Sequence, residues 1–304
     1  MRICSLLPGA TEIAFALGLG DKVVGVTHEC DYPPEAKGKR IVVRSAIDSH
    51  TLNSTAIDKR VTELLRTGKS LYTINRDALR DAAPDLILTQ DLCGVCAIDS
   101  EEVRAAIHSL PQKPHVVSLA PTTLSDVLRD ILTVGEITGH VKKAALLVKQ
   151  LNDRISRIRN QTVSCTSRPR VACLEWFDPL YAAGHWIPQM VEWAGGYDGL
   201  GRKGEPSTKV TWQKVMDYAP EVLVLMPCGF DVERTIKESL PLKELPGWNR
   251  LPAVISGRVF AANGGAYFSR PGPRLVDGLE LLAQIIQPEN FPWQAAADAA
   301  ARLG

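Results

Sequence analysis

The chain is 304 residues long, more than one ordinary core accommodates and enough for two lobes. Hydrophobic residues at 45% and charged residues at 23% are an ordinary globular balance, and no stretch offers eighteen uninterrupted apolar residues, which excludes a membrane-spanning helix. A net charge of +1 argues against nucleic acid or an acidic membrane surface as the main partner.

Residues 2–7 are a short apolar run that reads as a first strand, followed by Pro8-Gly9-Ala10-Thr11-Glu12 and a helix through Leu19. Thr11 is placed to cap that helix, whose free amide groups favour a polar ligand atom. The apolar stretch 13–19 imitates a signal peptide, but Glu12 interrupts it. Seven cysteines, an odd number, fit a reducing compartment better than a disulfide framework. The chain therefore reads as cytoplasmic, or as a mature form trimmed before the numbering. Residues 23–26 are a second strand ending in His28-Glu29-Cys30-Asp31-Tyr32-Pro33-Pro34. A Ser/Thr/Asn-rich loop and a helix over 58–66 follow. A buried strand after Ala83-Pro84-Asp85 then delivers Asp91-Leu92-Cys93-Gly94-Val95-Cys96, and a strand at 116–119 ends in Ala120-Pro121.

From 124 to about 160 the apolar spacing becomes three and four, through Leu124, Val127, Ile131, Val134, Leu151, Ile155 and Ile158. Gly135 and Gly139 weaken that pattern without ending it. One continuous helix of roughly 55 Å, at ~1.5 Å per residue, is the expectation.

The second half repeats the grammar of the first. Ala83-Pro84-Asp85-Leu86 is echoed by Ala219-Pro220-Glu221-Val222, Arg2-Ile3-Cys4 by Arg170-Val171-Ala172, and Leu110-Pro111 by Leu251-Pro252. The fold class inferred is α/β: two Rossmann-like lobes with parallel sheets joined by one long helix. The lobes are residues 1–121 and 163–304, with 122–162 as the linking helix. Their strand ends would enclose an interlobe cleft for a small molecule.

The richest stretch is 171–188, which opens as a strand and breaks at Asp178-Pro179 into a loop. It carries Glu175, Trp176, Phe177, His185 and Trp186 on one strand-to-helix crossover. Together with Tyr32, Phe230 and Tyr267, the aromatics of this stretch would form planar walls, each ring burying ~150–250 Å². Arg270, beside a Pro-Gly-Pro turn, would anchor a carboxylate or phosphate, and Arg274 would brace its helix through Asp277. Thr11, Asp91 and Glu175 supply polar groups, and His185 a hydrogen bond. His28 and Cys30, with Cys93 and Cys96, make a set of one imidazole and three thiols suited to tetrahedral zinc if the fold assembles it. The competing reading is small buried thiols. A G-x-S-x-G elbow, an ordered triad, a phosphate loop and a dinucleotide fingerprint are all absent from the sequence.

The residues 5–13 (SLLPGATEI) with Ala16-Leu17-Gly18-Leu19-Gly20 resemble the opening of substrate-binding proteins that serve ABC importers of cobalamin and iron-siderophores. Val24-Gly25-Val26-Thr27, Cys30-Asp31-Tyr32-Pro33, Ala194-Gly195-Gly196 and Arg270-Pro271-Gly272-Pro273-Arg274 continue the resemblance over nearly the whole chain. It implies the helical-backbone class of periplasmic-binding-protein fold, and a corrinoid such as cobalamin, or a similar metal chelate, between the lobes. No further cofactor is required. An ABC permease is the implied partner, and the protein is read as a monomer or weak dimer. The alternative is a cytoplasmic metal-binding protein or metal/thiol-dependent enzyme on the same scaffold, using His28, Cys30, Cys93 and Cys96.

Overall fold

A computed structural model describes residues 1–49, 51–90, 105–108 and 110–303. The chain divides into two compact units, one of Met1–Pro121, Ser125–Val148 and Pro271–Pro273, the other of Thr122–Leu124, Lys149–Arg270 and Arg274–Gly304.

The first unit is built on a six-stranded sheet. Its strands are β1 (Ile3–Ser5), β2 (Val23–Thr27), β3 (Ile41–Ser45), β4 (Tyr72–Ile74), β5 (Leu86–Gln90) and β6 (His115–Leu119), in the spatial order 4-3-2-1-5-6. All neighbours are parallel except β3 and β4. The order reverses beside β1, and the carboxyl ends of strands at such a switch point form a natural ligand crevice. Helices α1 (Pro8–Ala16), α2 (Ser54–Arg66) and α3 (Arg76–Ala82) connect the strands. Cys4, Leu6, Val42, Val43, Leu79 and Ile87 form the core beneath them. The sequence pattern missed β3 and β4, because each is short and only partly covered. It also began α2 four residues late, since Asn53 caps it by accepting from the Ala56 amide at 2.9 Å.

The linking segment is two helices and not one. Helix α4 (Leu124–Ile137) ends where Gly139 takes a left-handed φ of 72°, and α5 (Val141–Val163) begins two residues on. The His140 amide bonds the Gly135 carbonyl at 2.7 Å, closing the helix end as left-handed glycines do. Gly135 is required for a different reason. A Cβ there would lie 2.3 Å from the Ala144 Cβ, so its hydrogen side chain lets the next helix fold back closely. The division between units passes through α5.

The second unit carries a seven-stranded sheet. It contains β7 (Arg170–Phe177), β8 (Leu180–Ala182), β9 (Tyr197–Asp198), β10 (Thr208–Lys209), β11 (Val222–Leu225), β12 (Val259–Ala262) and β13 (Ala300–Leu303). Strands β7, β11 and β12 are parallel neighbours, whereas β8, β10 and β13 pair antiparallel. Its helices are α6 (Ile187–Trp193), α7 (Trp212–Tyr218), α8 (Val232–Ser239), α9 (Pro252–Ile255), α10 (Gly264–Tyr267) and α11 (Leu275–Ile286). Ala172, Leu174, Leu223, Leu225, Leu242 and Trp248 lie in one core cluster. Arg154 of α5 donates to Asp277 at 2.5 Å and to both carboxylate oxygens of Glu280 at 2.8 and 2.6 Å, tying α5 to α11. Asp277 therefore pairs across helices with Arg154.

The internal repeat is visible at atomic detail. In the first unit Ala83 is left-handed (φ 41°), Arg2 Nε donates to the Ala82 carbonyl at 2.8 Å, and the Arg2 amide bonds Asp85 at 2.8 Å. In the second, Ala219 is left-handed (φ 49°), Arg170 Nε donates to its carbonyl at 3.0 Å, and the Arg170 amide bonds Glu221 at 2.9 Å. In each case a helix end is clamped to the start of the unit's first strand, and the carboxylate after the proline closes the clamp.

One carboxylate in α4 is poorly placed. Burial raises the Asp130 acid group to about 6, with the Asp126 charge adding to the effect and Arg129 opposing it. Between 3.8 and about 6 the folded chain holds a proton that the unfolded chain has released, so stability falls as pH rises through that window. Asp130→Asn is expected to stabilise the protein at pH 7 by about 1 kcal/mol, allowing for partial exposure, or roughly 2–4 °C in Tm. At pH 4 the two melting curves should coincide. An equal gain at both pH values would contradict this account.

Candidate functional site

In the first unit the strand ends at the switch point carry a buried polar network. The Thr11 hydroxyl donates to Ser5 Oγ at 2.8 Å and lies 3.1 Å from Cys30 Sγ, which in turn lies 3.3 Å from Thr27 Oγ1. The Ser5 hydroxyl donates to the Leu7 carbonyl at 2.9 Å. Thr11 does not cap α1. Pro8, with its φ suited to the first helical position, starts the helix earlier and makes Leu7 the N-cap. Thr11 is completely buried one turn in, and its hydroxyl is spent on this network. His28 follows β2, its Nε2 lying 3.3 Å from Glu29 Oε1, and its Nδ1 is buried with no hydrogen-bond partner among the described residues. Tyr32 stands 44% exposed beyond it.

The zinc reading depended on Cys30 joining His28, Cys93 and Cys96. Cys30 is buried between two threonine hydroxyls, and Cys93 and Cys96, like Asp91, lie outside the described residues. Among the described residues no cluster of three His, Cys, Asp or Glu side chains is placed to hold a metal ion. Burial pushes the Cys4 thiol up to about 12, against the pull of Arg2 and Arg40, and raises Cys173 as well. Those two behave as small apolar side chains.

In the second unit the carboxyl ends of the three parallel strands are stitched into one platform. The Cys228 amide after β11 bonds the Glu175 carbonyl of β7 at 3.1 Å, and the Gly265 amide after β12 bonds the Phe230 carbonyl at 3.1 Å. Trp176 and Phe230 are thereby brought together, with ring centroids 5.4 Å apart and planes inclined by 55°. The Arg234 guanidinium lies over the other partner, 3.7 Å from the centroid of Phe230, whose ring is only 2% exposed and so backs Trp176 where an open wall was the expectation. The Trp176 indole N–H is buried and unbonded among the described residues. Tyr267 ends α10 from the same platform, held because Asn263 caps that helix through the Ala266 amide at 2.8 Å.

The local chain path differs from the expected loop. β7 continues through Glu175, Trp176 and Phe177, and Asp178-Pro179 is the turn of a hairpin to β8, with Trp176 opposite Tyr181. Strand alternation then separates the neighbours. Phe177 turns inward, is 6% exposed and belongs to the hydrophobic core, so it is no part of an open wall. Trp186 is likewise buried, its indole N–H donating to the Phe268 carbonyl at 2.8 Å. His185 lies 5.5 Å from Trp186, ring to ring, with a left-handed backbone (φ 50°) fixed by its amide bond to the Glu205 carbonyl at 2.6 Å. Arg270 is half-buried at the end of this unit's stretch. The sequence reading overlooked Arg234, although Asp231 is a good N-cap and places residue 234 in the first turn of α8, next to Phe230.

Comparison with known proteins agrees with this architecture. The family model described as periplasmic binding protein matches residues 3–264. An uncharacterised ABC transporter substrate-binding lipoprotein of Bacillus subtilis is 27% identical over 95% of this chain and 81% of its own length. A vitamin B12-binding protein of Vibrio cholerae is 26% identical over 92% of this chain and 86% of its own. The fold is shared with a periplasmic heme binding protein of Pseudomonas aeruginosa, at a TM-score of 0.74, 16% identity and coverage of 100% and 99% of the two chains. These relatives give no support to the reading of the chain as cytoplasmic. No helix among the described residues is long and apolar enough to cross a membrane.

Proposed function

The chain belongs to the periplasmic binding protein family, and we propose that it captures a corrinoid for an ABC permease. The observation that carries the reading is the pair of half-buried side chains Trp176 and Arg234 at the carboxyl ends of β7 and β11, both packed on the buried ring of Phe230. An indole face held rigid by its packing gives a flat, largely apolar macrocycle a large contact area with few rotatable bonds to fix. The cation over Phe230 and the half-buried Arg270 suit the polar groups at such a ligand's edge. The similarity to a vitamin B12-binding protein over most of both chains favours a corrinoid over other flat chelates. Nothing in this role calls for bond making. The protein, as a monomer or weak dimer, hands its ligand to the permease.

The test is a titration of the purified chain with cyanocobalamin, haem and a ferric hydroxamate siderophore, read by tryptophan fluorescence. Saturable quenching by cyanocobalamin at micromolar or lower concentration, with the other two at least tenfold weaker, is the expected result. Saturation by haem or the siderophore with cobalamin inert would assign the chain to a different chelate.

A further inference from the structure

A surface cavity of about 340 Å³ in the second unit, open to solvent and lined mostly by exposed side chains, is unrelated to the strand-end platform. Ser156, Arg159 and Asn160 line it from one face of α5, at spacings of three and four, and Arg168, Glu192 and Trp193 complete it. The segment bearing Arg168 leads into the start of β7, and Trp193 ends the helix before β9, which pairs with Arg170 and Val171. The cavity therefore lies at the amino end of the sheet. At ~3.3 Å per strand residue it is about 20 Å from Trp176, at the other end of β7.

The Arg159 guanidinium lies over the Trp193 ring, 5.0 Å from its centroid. A guanidinium whose face rests on an indole keeps its in-plane N–H groups for an acceptor. Among the described residues neither Arg159 nor Arg168 has an ion-pair or side-chain hydrogen-bond partner, and the Ser156 and Asn160 side chains have none either. Glu192 is the opposing charge, a single carboxylate against two arginines. Arg154 and Arg170 of the same unit are paired, with Asp277 and Glu280 and with Glu221, whereas Arg159 and Arg168 share one cavity with a single carboxylate. Two guanidinium forks, a hydroxyl and an amide around one cavity offer more donors than the two oxygens of a carboxylate can use. They match the several oxygens of a tetrahedral anion.

We propose that the cavity lined by Arg159, Arg168, Ser156 and Asn160 binds a phosphate group, free or on a lipid headgroup. The site is independent of the ligand platform. Calorimetry of the full chain with inorganic phosphate at low ionic strength should show saturable binding at one site. Arg159→Gln and Arg168→Gln should each weaken it about tenfold, and Glu192→Gln should tighten it several-fold. Arg168 is exposed on a loop, so its variant keeps the test open if Arg159→Gln, which loses the stack on Trp193, folds poorly. Cosedimentation with phosphatidylglycerol vesicles, compared with phosphatidylcholine, separates the sources. Arginine-dependent retention assigns the phosphate to a headgroup, and phosphate binding without retention assigns it to a soluble ligand. Absence of phosphate binding, or binding to phosphate or vesicles that Arg168→Gln leaves unchanged, overturns the proposal. Cobalamin titration should be identical in wild type and Arg168→Gln, so failure of one assignment leaves the other standing.

Discussion

Replacing Gly264 by alanine is expected to lower Tm by about 5–10 °C and to weaken ligand binding along with it. A Cβ at this position would lie 2.2 Å from the Pro227 carbonyl oxygen and 2.7 Å from that of Met226. Both obstacles are backbone, so no rotamer change relieves them, and the turn after β12 must move away from the loop after β11. That loop holds Phe230, whose carbonyl accepts the Gly265 amide, and it is joined to β7 through Cys228 and Glu175. The displacement therefore reaches all three strand ends of the platform at once. Gly38→Ala is the control, because nothing lies within 4 Å of its Cβ, and its Tm should stay within about 1 °C of wild type. Calorimetric scans of the two variants decide the matter. A Gly264→Ala protein that melts with wild type would mean the close approach is not maintained in solution.

Removing the Trp176 ring is expected to cost about 30-fold in affinity for cyanocobalamin, close to 2 kcal/mol, as for a central aromatic contact. Trp176→Phe keeps a ring against Phe230 and should lose no more than about threefold. The comparison separates stacking from the indole N–H, which is buried without a partner and contributes only if the ligand provides an acceptor. Thermal melts run in parallel show whether Trp176→Ala loosens the platform itself, because its ring also packs on Phe230. An unchanged dissociation constant for Trp176→Ala would move the ligand contact away from this platform.

The sequence determined the class of fold and its duplication. Apolar runs of strand length set off by Pro-Asp and Pro-Glu pairs identify buried parallel strands, and the two echoed stretches prove to form the same clamp in each unit. Those signals are local: an apolar run needs only its own residues to declare itself. The family was legible for the same reason, in short motifs spread along the chain. Several points became definite only in three dimensions. Gly139 ends the helix that the apolar spacing alone would continue, because a left-handed residue breaks the hydrogen-bond ladder whatever the pattern on either side. Phe177 and Trp176 are neighbours in sequence, yet alternation along β7 sends one into the core and leaves the other paired with Phe230. Cys30 is drawn into a hydroxyl network by Thr11 and Thr27, partners the sequence shows only as separate stretches. Periodicity encodes which residues are buried. Which of them meet is decided by the crossing of strands remote in sequence, and both the platform and the arginine cavity are products of that crossing.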